Sequence, residues 1–82
     1  MNIYVSNLSS AVNSEELKKF FARYGIVSSI NIILDRLTNR GRGFAFVQMA
    51  DRVAGEKAIR ELNGAYLNGQ SLKLIEARKN ER

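Results

Sequence analysis

The chain has 82 residues and a formal net charge of +5, and it contains no Cys, His, Trp or Pro. A chain of this length forms one domain with a modest core, which leaves little room for a deep enzyme cleft. Without Cys and His, it lacks disulfides, a thiol nucleophile, the commonest general base and the usual zinc ligands. These counts argue against an enzyme, and we expect no catalytic residue, metal, cofactor or small-molecule substrate.

The longest uninterrupted apolar run is residues 44–47, far shorter than the roughly 20 residues that a membrane-spanning helix needs. Residues 1–14 carry no charged side chain and alternate apolar with polar residues, unlike a secretory signal. We therefore expect no membrane partner and predict a cytoplasmic protein, or a nuclear one in a eukaryote. The positive charge is compatible with a polyanionic partner such as nucleic acid.

The first two predicted elements are a strand and a helix. Residues 2–6 alternate apolar and polar side chains, which predicts a half-buried strand with Tyr4 on its outward side. Asn13 followed by Glu16 forms a capping box that begins a helix, and Gly25 ends it. The apolar side chains of this helix recur at i, i+3, i+4 and i+7 and are Leu17, Phe20, Phe21 and Tyr24.

Two further strands flank a basic loop. The β-branched run 26–34 predicts a strand with Ile30, Ile32 and Leu34 on one face and Asn31 and Ile33 on the other. Residues 35–41 form the loop, and the segment 35–42 has a net charge of +2. Residues 43–49 predict the next strand, in which Phe44, Phe46 and Gln48 alternate with Ala45, Val47 and Met49.

A second helix and a hairpin complete the chain. Asp51 caps the helix, Gly64 ends it, and Gly55 weakens it by about 1 kcal/mol relative to Ala. Its narrow apolar stripe consists of Ala54, Ala58, Ile59 and Leu62. Asn68-Gly69 predicts a hairpin turn between residues 66–67 and a last strand 71–76. In that strand Leu72 and Leu74 face the core, and Lys73 and Ile75 face outward.

The element order βαββαβ predicts an α+β fold, a four-stranded antiparallel sheet with two helices packed on one face. The second face of the sheet is then left in water, where polar residues are expected. Instead, the outward set mixes apolar with polar residues, namely Tyr4, Ile33, Phe44, Phe46 and Ile75 beside Asn2, Ser6, Asn31, Arg42, Gln48 and Lys73. An exposed apolar surface of this kind marks a binding face.

Aromatic rings framed by cations suit single-stranded nucleic acid. Unpaired bases stack on such rings at about 1–3 kcal/mol per base, and cations hold the phosphates. We expect Tyr4 and Phe46 each to accept a base and Phe44 to pack against the sugar between them. Arg42, at the start of the strand, is placed for a phosphate.

Two short motifs match a known family. Residues 42–49 read RGFAFVQM, which resembles the K/R-G-F/Y-G/A-F-V-x-F/Y signature of the RNA recognition motif. Residues 3–8 read IYVSNL and resemble the partner motif on the first strand. The resemblance covers residues 2–77 and is strongest to small single-domain bacterial members and to the front domain of glycine-rich RNA-binding proteins.

The resemblance implies a ferredoxin-like βαββαβ fold with the first and third strands at the centre of the sheet. It also implies bases stacked on Tyr4 and Phe46, ribose against Phe44 and a phosphate on Arg42. Met49 stands where the family's motif usually ends in an aromatic residue, and its inward position predicts core filler. A basic residue is frequent in the family at the position of Asn31, so contacts along the second strand are expected to be weaker.

We predict one RNA recognition motif domain, residues 1–78, and a short basic tail, residues 79–82. The predicted partner is single-stranded RNA, bound by a monomer. Arg78, the last residue of the domain, and Lys79, the first of the tail, are included because the last strand delivers them to the edge of the binding face. The predicted RNA-binding residues are Tyr4, Arg42, Phe44, Phe46, Asn2, Asn31, Ile33, Gln48, Lys73, Ile75, Arg78 and Lys79.

Other functions are compatible with parts of this pattern. Exposed Ile33 and Ile75 would also suit a protein-interaction module that uses the same face of the sheet. Single-stranded DNA is an alternative ligand, because the 2′-hydroxyl contact that selects RNA depends on local geometry. An acyl-phosphate hydrolase of the same βαββαβ order is disfavoured, since no Gly-rich anion loop lies beside a paired Arg and Asn.

Overall fold

The computed structural model describes residues 1–34, 36–38 and 41–77, with Gly41 and Arg42 described by their backbone alone. Within these residues the helices are α1 (Ser14–Ala22) and α2 (Arg52–Leu62). The strands are β1 (Asn2–Ser6), β2 (Val27–Leu34), β3 (Gly41–Met49), β4 (Tyr66–Leu67), β5 (Gln70–Ser71) and β6 (Lys73–Glu76).

Four of the strands form one antiparallel sheet in the order β2-β3-β1-β6. The first strand of the chain and β3 therefore lie at its centre, as the motif resemblance implied. Both helices pack on one face of this sheet, with α1 against β2 and α2 against β6, β1 and β3. The predicted α+β, ferredoxin-like fold is confirmed, and the other face of the sheet is left uncovered.

The hydrophobic core lies between the sheet and the two helices. Its buried apolar side chains are Ile3, Val5, Leu8, Val12, Leu17, Phe21, Ala45, Val47, Met49, Ala58, Leu62, Leu72 and Leu74. Met49 is among them, which confirms its predicted role as core filler. Leu34 is an exception to the predicted inward face of β2: it is largely exposed and lies beyond a register shift between β2 and β3 that follows Ile32.

Both helices begin where their capping residues predict. The Glu16 backbone N–H donates to Asn13 Oδ1 at 2.8 Å, and the Asn13 N–H donates to Glu16 Oε1 at 3.3 Å. At the start of α2, the Ala54 N–H donates to Asp51 Oδ2 at 3.0 Å. These contacts satisfy backbone donors that have no partner within the helix.

Gly55 has a packing role that its helix propensity alone does not suggest. The residue is buried, and a Cβ placed on it would meet the side chain of Met1, with Sδ as the nearest atom. The glycine therefore leaves room for Met1 against α2, in addition to the intrinsic cost that it imposes on the helix.

Gly25 is constrained in the same way by a stiffer neighbour. A Cβ on Gly25 would lie 2.7 Å from the Ala54 Cβ, and that methyl group cannot rotate away. We expect Gly25→Ala to lower the free energy of unfolding by about 1–3 kcal/mol, as overpacking does elsewhere. Urea denaturation followed by circular dichroism measures the change, with the exposed Ser28→Ala variant on β2 as control. An unchanged urea midpoint for Gly25→Ala would show that the backbone at Gly25 can move away from Ala54 on α2 at no cost in stability.

The end of the chain differs from the predicted single strand 71–76. Residues Gln70–Ser71 pair with Tyr66–Leu67, whereas Lys73–Glu76 pair with β1. Asn68 and Gly69 both have positive φ, 53° and 80°, as a two-residue hairpin turn with a right-handed twist requires. The strand is divided because its two halves find different partners.

Candidate nucleic-acid interface

Three aromatic rings lie together on the uncovered face of the sheet, which we call the binding face. The Tyr4 ring centroid is 5.3 Å from that of Phe46 and 6.0 Å from that of Phe44. The ring planes are tilted by 46° and 40° respectively, and Tyr4 and Phe44 are half-buried. Phe46 is 40% exposed, a large fraction for a phenylalanine in a central strand.

Strand register assembles the rings because β1 and β3 are neighbours. Tyr4 lies opposite Phe46 on β3 and opposite Ile75 on β6, while Phe46 lies opposite Asn31 on β2. These four side chains form one line across the sheet, the aromatic row. Ile75, at its outer end, is 57% exposed. The row presents apolar surface with one amide at its β2 end.

A second row, parallel to the first, is polar. Gln48 lies opposite Asn2 on β1 and opposite Ser29 on β2. The Ser29 hydroxyl donates to Gln48 Oε1 at 3.2 Å, which leaves the Gln48 amide N–H groups free to donate. Ser29 was not among the predicted site residues, although alternation from Asn31 places it on the same face.

The row on the other side of the aromatic row combines a ring with a cation. Ser6 lies opposite Phe44 on β3 and opposite Lys73 on β6, and Lys73 is exposed. Ile33 is half-buried and lies within the register shift that precedes Leu34, so no direct partner on β3 follows from the pairing.

Three predicted contact residues cannot be placed. The Arg42 side chain, together with Arg78 and Lys79, lies outside the described residues, as does the tail 79–82. The backbone beside Arg42 is described: Gly43 has a positive φ of 97°, and its carbonyl accepts a hydrogen bond from the Leu8 N–H at 2.9 Å. A glycine suits this conformation because a Cβ would be strained there.

Two polar residues near the binding face, Asn7 and Glu76, make hydrogen bonds within the protein. Asn7 has a positive φ of 63°, and its amide Nδ2 donates to the Ser71 carbonyl at 2.6 Å, so it shapes the end of β1. Glu76 accepts from Arg52 Nη2 at 2.8 Å, and Arg52 also contacts Glu56 at 3.1 Å. These hydrogen bonds, led by the one that Arg52 donates to Glu76, raise the pKa of the Arg52 guanidinium above its usual value.

The described residues contain no group of three or more acidic or His and Cys side chains that could hold a metal ion. In the same part of the chain, neither helix is long and apolar enough to cross a membrane.

Comparison with known proteins identifies the family. A model of the RNA recognition motif matches residues 3–73. This chain belongs to the RNA recognition motif family. A relative in Nostoc sp. (strain PCC 7120 / SAG 25.82 / UTEX 2576), named "Putative RNA-binding protein RbpE", is 44% identical over 81 residues, which cover 99% of this chain and 82% of the relative.

Solved structures of RNA recognition motif proteins have the same fold. The crystal structure of the RNA-binding protein PG1 superposes with a TM-score of 0.92 at 41% identity, covering 100% of this chain and 99% of that one. An Sxl-lethal protein–RNA complex gives a TM-score of 0.90 at 29% identity and covers 98% of this chain and 48% of that one. The protein in that second structure is bound to RNA.

Proposed function

We propose that this chain binds single-stranded RNA on the binding face, with one base stacked on Tyr4, another on Phe46 and a ribose against Phe44. The observation that carries the proposal is the cluster of three partly exposed rings, in which the Tyr4 centroid lies 5.3 Å from that of Phe46 and 6.0 Å from that of Phe44. Base stacking on aromatic side chains is sequence-tolerant, since every base has a π-face. The motif match and the RNA-bound family structure support RNA as the ligand.

Polar groups around the rings are proposed to contact base edges and phosphates. The amides of Asn31, Gln48 and Asn2 can donate to and accept from base edges, and Ile33 and Ile75 supply apolar contact beside them. Lys73, Arg42, Arg78 and Lys79 are proposed to hold phosphates. The exposure of Lys73 in the row that contains Phe44 supports its part in this set.

The phosphate contacts predict a salt dependence. For a single strand, the slope of log K against log salt is about −0.7 per phosphate neutralised, so three contacts give a slope of about −2. Fluorescence anisotropy with a labelled octanucleotide, at KCl concentrations from about 50 to about 300 mM, measures this slope. Lys73→Ala should make the slope less steep by about 0.7, whereas Lys57→Ala on α2 should not change it. A slope near zero for the unsubstituted protein would contradict phosphate contacts.

RNA is proposed as the preferred ligand over single-stranded DNA. Selection from matched random pools of the two nucleic acids tests this choice and gives the base preference at the same time. Equal enrichment of both pools would contradict a preference for RNA. Binding that depends on the rings would still support the stacking mechanism in that case.

We also propose that the chain acts as a monomer and by binding alone, without catalysis, a membrane or a small-molecule substrate. The lack of His and Cys supports the absence of catalysis. The cytoplasmic location stays a prediction from composition. A protein partner on the same face is not favoured by the family match, and a pull-down that resists nuclease treatment would argue for one.

A further inference from the structure

The third tyrosine of the chain, Tyr66, lies on the β4–β5 hairpin and is 72% exposed, more than Phe46. It was not among the predicted site residues. A ring so exposed contributes little to the hydrophobic core. Whether it can bind RNA depends on the face of the hairpin from which it projects.

Tyr66 projects to the side of the binding face. On either side of it along the chain, Ala65 and Leu67 pack against the hydrophobic core. Successive side chains in a strand point to opposite faces, so Tyr66 points away from the core and the helices. Its cross-strand partner is Ser71.

Backbone hydrogen bonds join this hairpin to the sheet. The Leu72 N–H donates to the Ala65 carbonyl and the Gly64 N–H donates to the Leu72 carbonyl, both at 2.8 Å. The ladder of the hairpin thus runs on to the start of β6, where Leu72 and Leu74 face the core and Lys73 faces outward. Tyr66 and Lys73 therefore lie on the same surface.

Small neighbours leave the Tyr66 ring open on that surface. Gly64 and Asn68 lie two residues away along the chain, on either side of β4, and Ser71 lies opposite. Lys73 occupies the diagonal position, about 7–8 Å away by standard sheet geometry. An open ring with a cation on the diagonal has the composition of a nucleotide subsite.

The hairpin is also held in place before any ligand arrives. Asn7 Nδ2 donates to the Ser71 carbonyl at 2.6 Å, and Gln70 Nε2 donates to the Asn7 carbonyl at 3.0 Å. The Ser71 hydroxyl donates to the Gly64 carbonyl at 3.2 Å. The two bonds with Asn7 fix the hairpin to the end of β1, and the third ties β5 to the residues before β4, so that stacking on Tyr66 does not first require the loop to be ordered.

We propose that Tyr66 is an additional base-stacking site for the same RNA strand. This inference rests on the proposed function of the binding face. Ser71, the cross-strand partner of Tyr66, lies two residues before Lys73 on the chain, and Lys73 lies opposite Ser6 on the strand of Tyr4. Lys73 lies between Tyr4 and Tyr66 and is placed to hold an intervening phosphate. Only an RNA longer than the two or three nucleotides on the aromatic row reaches Tyr66.

The test compares two lengths of random-sequence RNA, about three and about eight nucleotides, which bracket the reach of the aromatic row. Tyr66→Ala should weaken binding of the longer RNA by about 5-fold or more and leave the shorter one within about 2-fold. Val53→Ala, a substitution of an equally exposed α2 side chain, is the matched control and should affect neither. Tyr66→Trp adds the single tryptophan of the chain, and its fluorescence should be quenched by the longer RNA alone.

Each result decides for or against the site. Unchanged affinity of Tyr66→Ala for the longer RNA would overturn it, as would equal losses at both lengths, which would indicate a structural effect. Absence of quenching in Tyr66→Trp would overturn it as well. Phe46→Ala, measured with both RNAs, separates the two proposals: if it loses affinity while Tyr66→Ala does not, the binding face stands and the additional site fails.

Discussion

Phe46→Ala is expected to weaken binding of short single-stranded RNA by about 1–3 kcal/mol, which corresponds to about 5- to 150-fold in Kd. Phe46 lies on the central strand β3, is 40% exposed and lies between Asn31 and Tyr4 in the aromatic row. Removing its ring deletes a stacking surface but leaves the core intact, because the core side of β3 is formed by Ala45 and Val47. Fluorescence anisotropy with labelled RNA measures the loss.

Tyr4→Ala should have an effect of similar size, because Tyr4 contacts both other rings. The double variant should lose less than the sum of the single losses, since rings 5.3 Å apart are energetically coupled. Val53→Ala is the control, and circular dichroism must show that each variant is folded. Affinity retained in both Tyr4→Ala and Phe46→Ala would reject base stacking as the mechanism.

Phe21→Ala is expected to cost about 3–5 kcal/mol of the free energy of unfolding. Phe21 lies on α1 and is the largest fully buried side chain of the described residues. A chain of this size has roughly 4–12 kcal/mol of stability in total, so the variant is close to unfolding at room temperature. Urea denaturation of the two proteins measures the difference.

The adjacent phenylalanine provides a matched control. Phe20 packs against the edge of the core but stays partly exposed, so Phe20→Ala should cost clearly less. RNA affinity should fall in Phe21→Ala in proportion to the unfolded fraction and recover in a stabilising osmolyte. Equal losses of stability in the two variants would contradict the assigned core.

The sequence predicted most of the core, because alternation and helical spacing are local properties of the chain. Ile3, Val5, Val47 and Met49 are buried as the period of two predicts, and Leu17 and Phe21 as the helical period predicts. Asn13 and Asp51 begin the helices, since each cap needs only residues three positions away. The placement of Tyr4, Phe44 and Phe46 on one face follows from the same local rule.

Contacts between segments that are distant in the sequence could not be predicted from these local patterns. The room that Gly55 leaves for Met1, the turn of Glu76 towards Arg52 and the hydrogen bond from Ser29 to Gln48 all join residues at least 19 positions apart. The predicted hairpin between residues 66–67 and the last strand forms, but the predicted continuous strand 71–76 is divided into Gln70–Ser71, which pair with Tyr66–Leu67, and Lys73–Glu76, which pair with β1. No local pattern states at which residue a strand leaves one partner and pairs with another.

The charge of +5 led to the prediction of a polyanionic ligand, and the absence of Cys and His to the expectation that the chain acts without catalysis. Periodicity and the octapeptide at residues 42–49 were sufficient for the family. Tertiary structure alone decided the spacing of the rings, the polar row beside them and the side on which Tyr66 lies. The physical reason is strand register: it is fixed by the packing of the whole core, and it determines which side chains become neighbours.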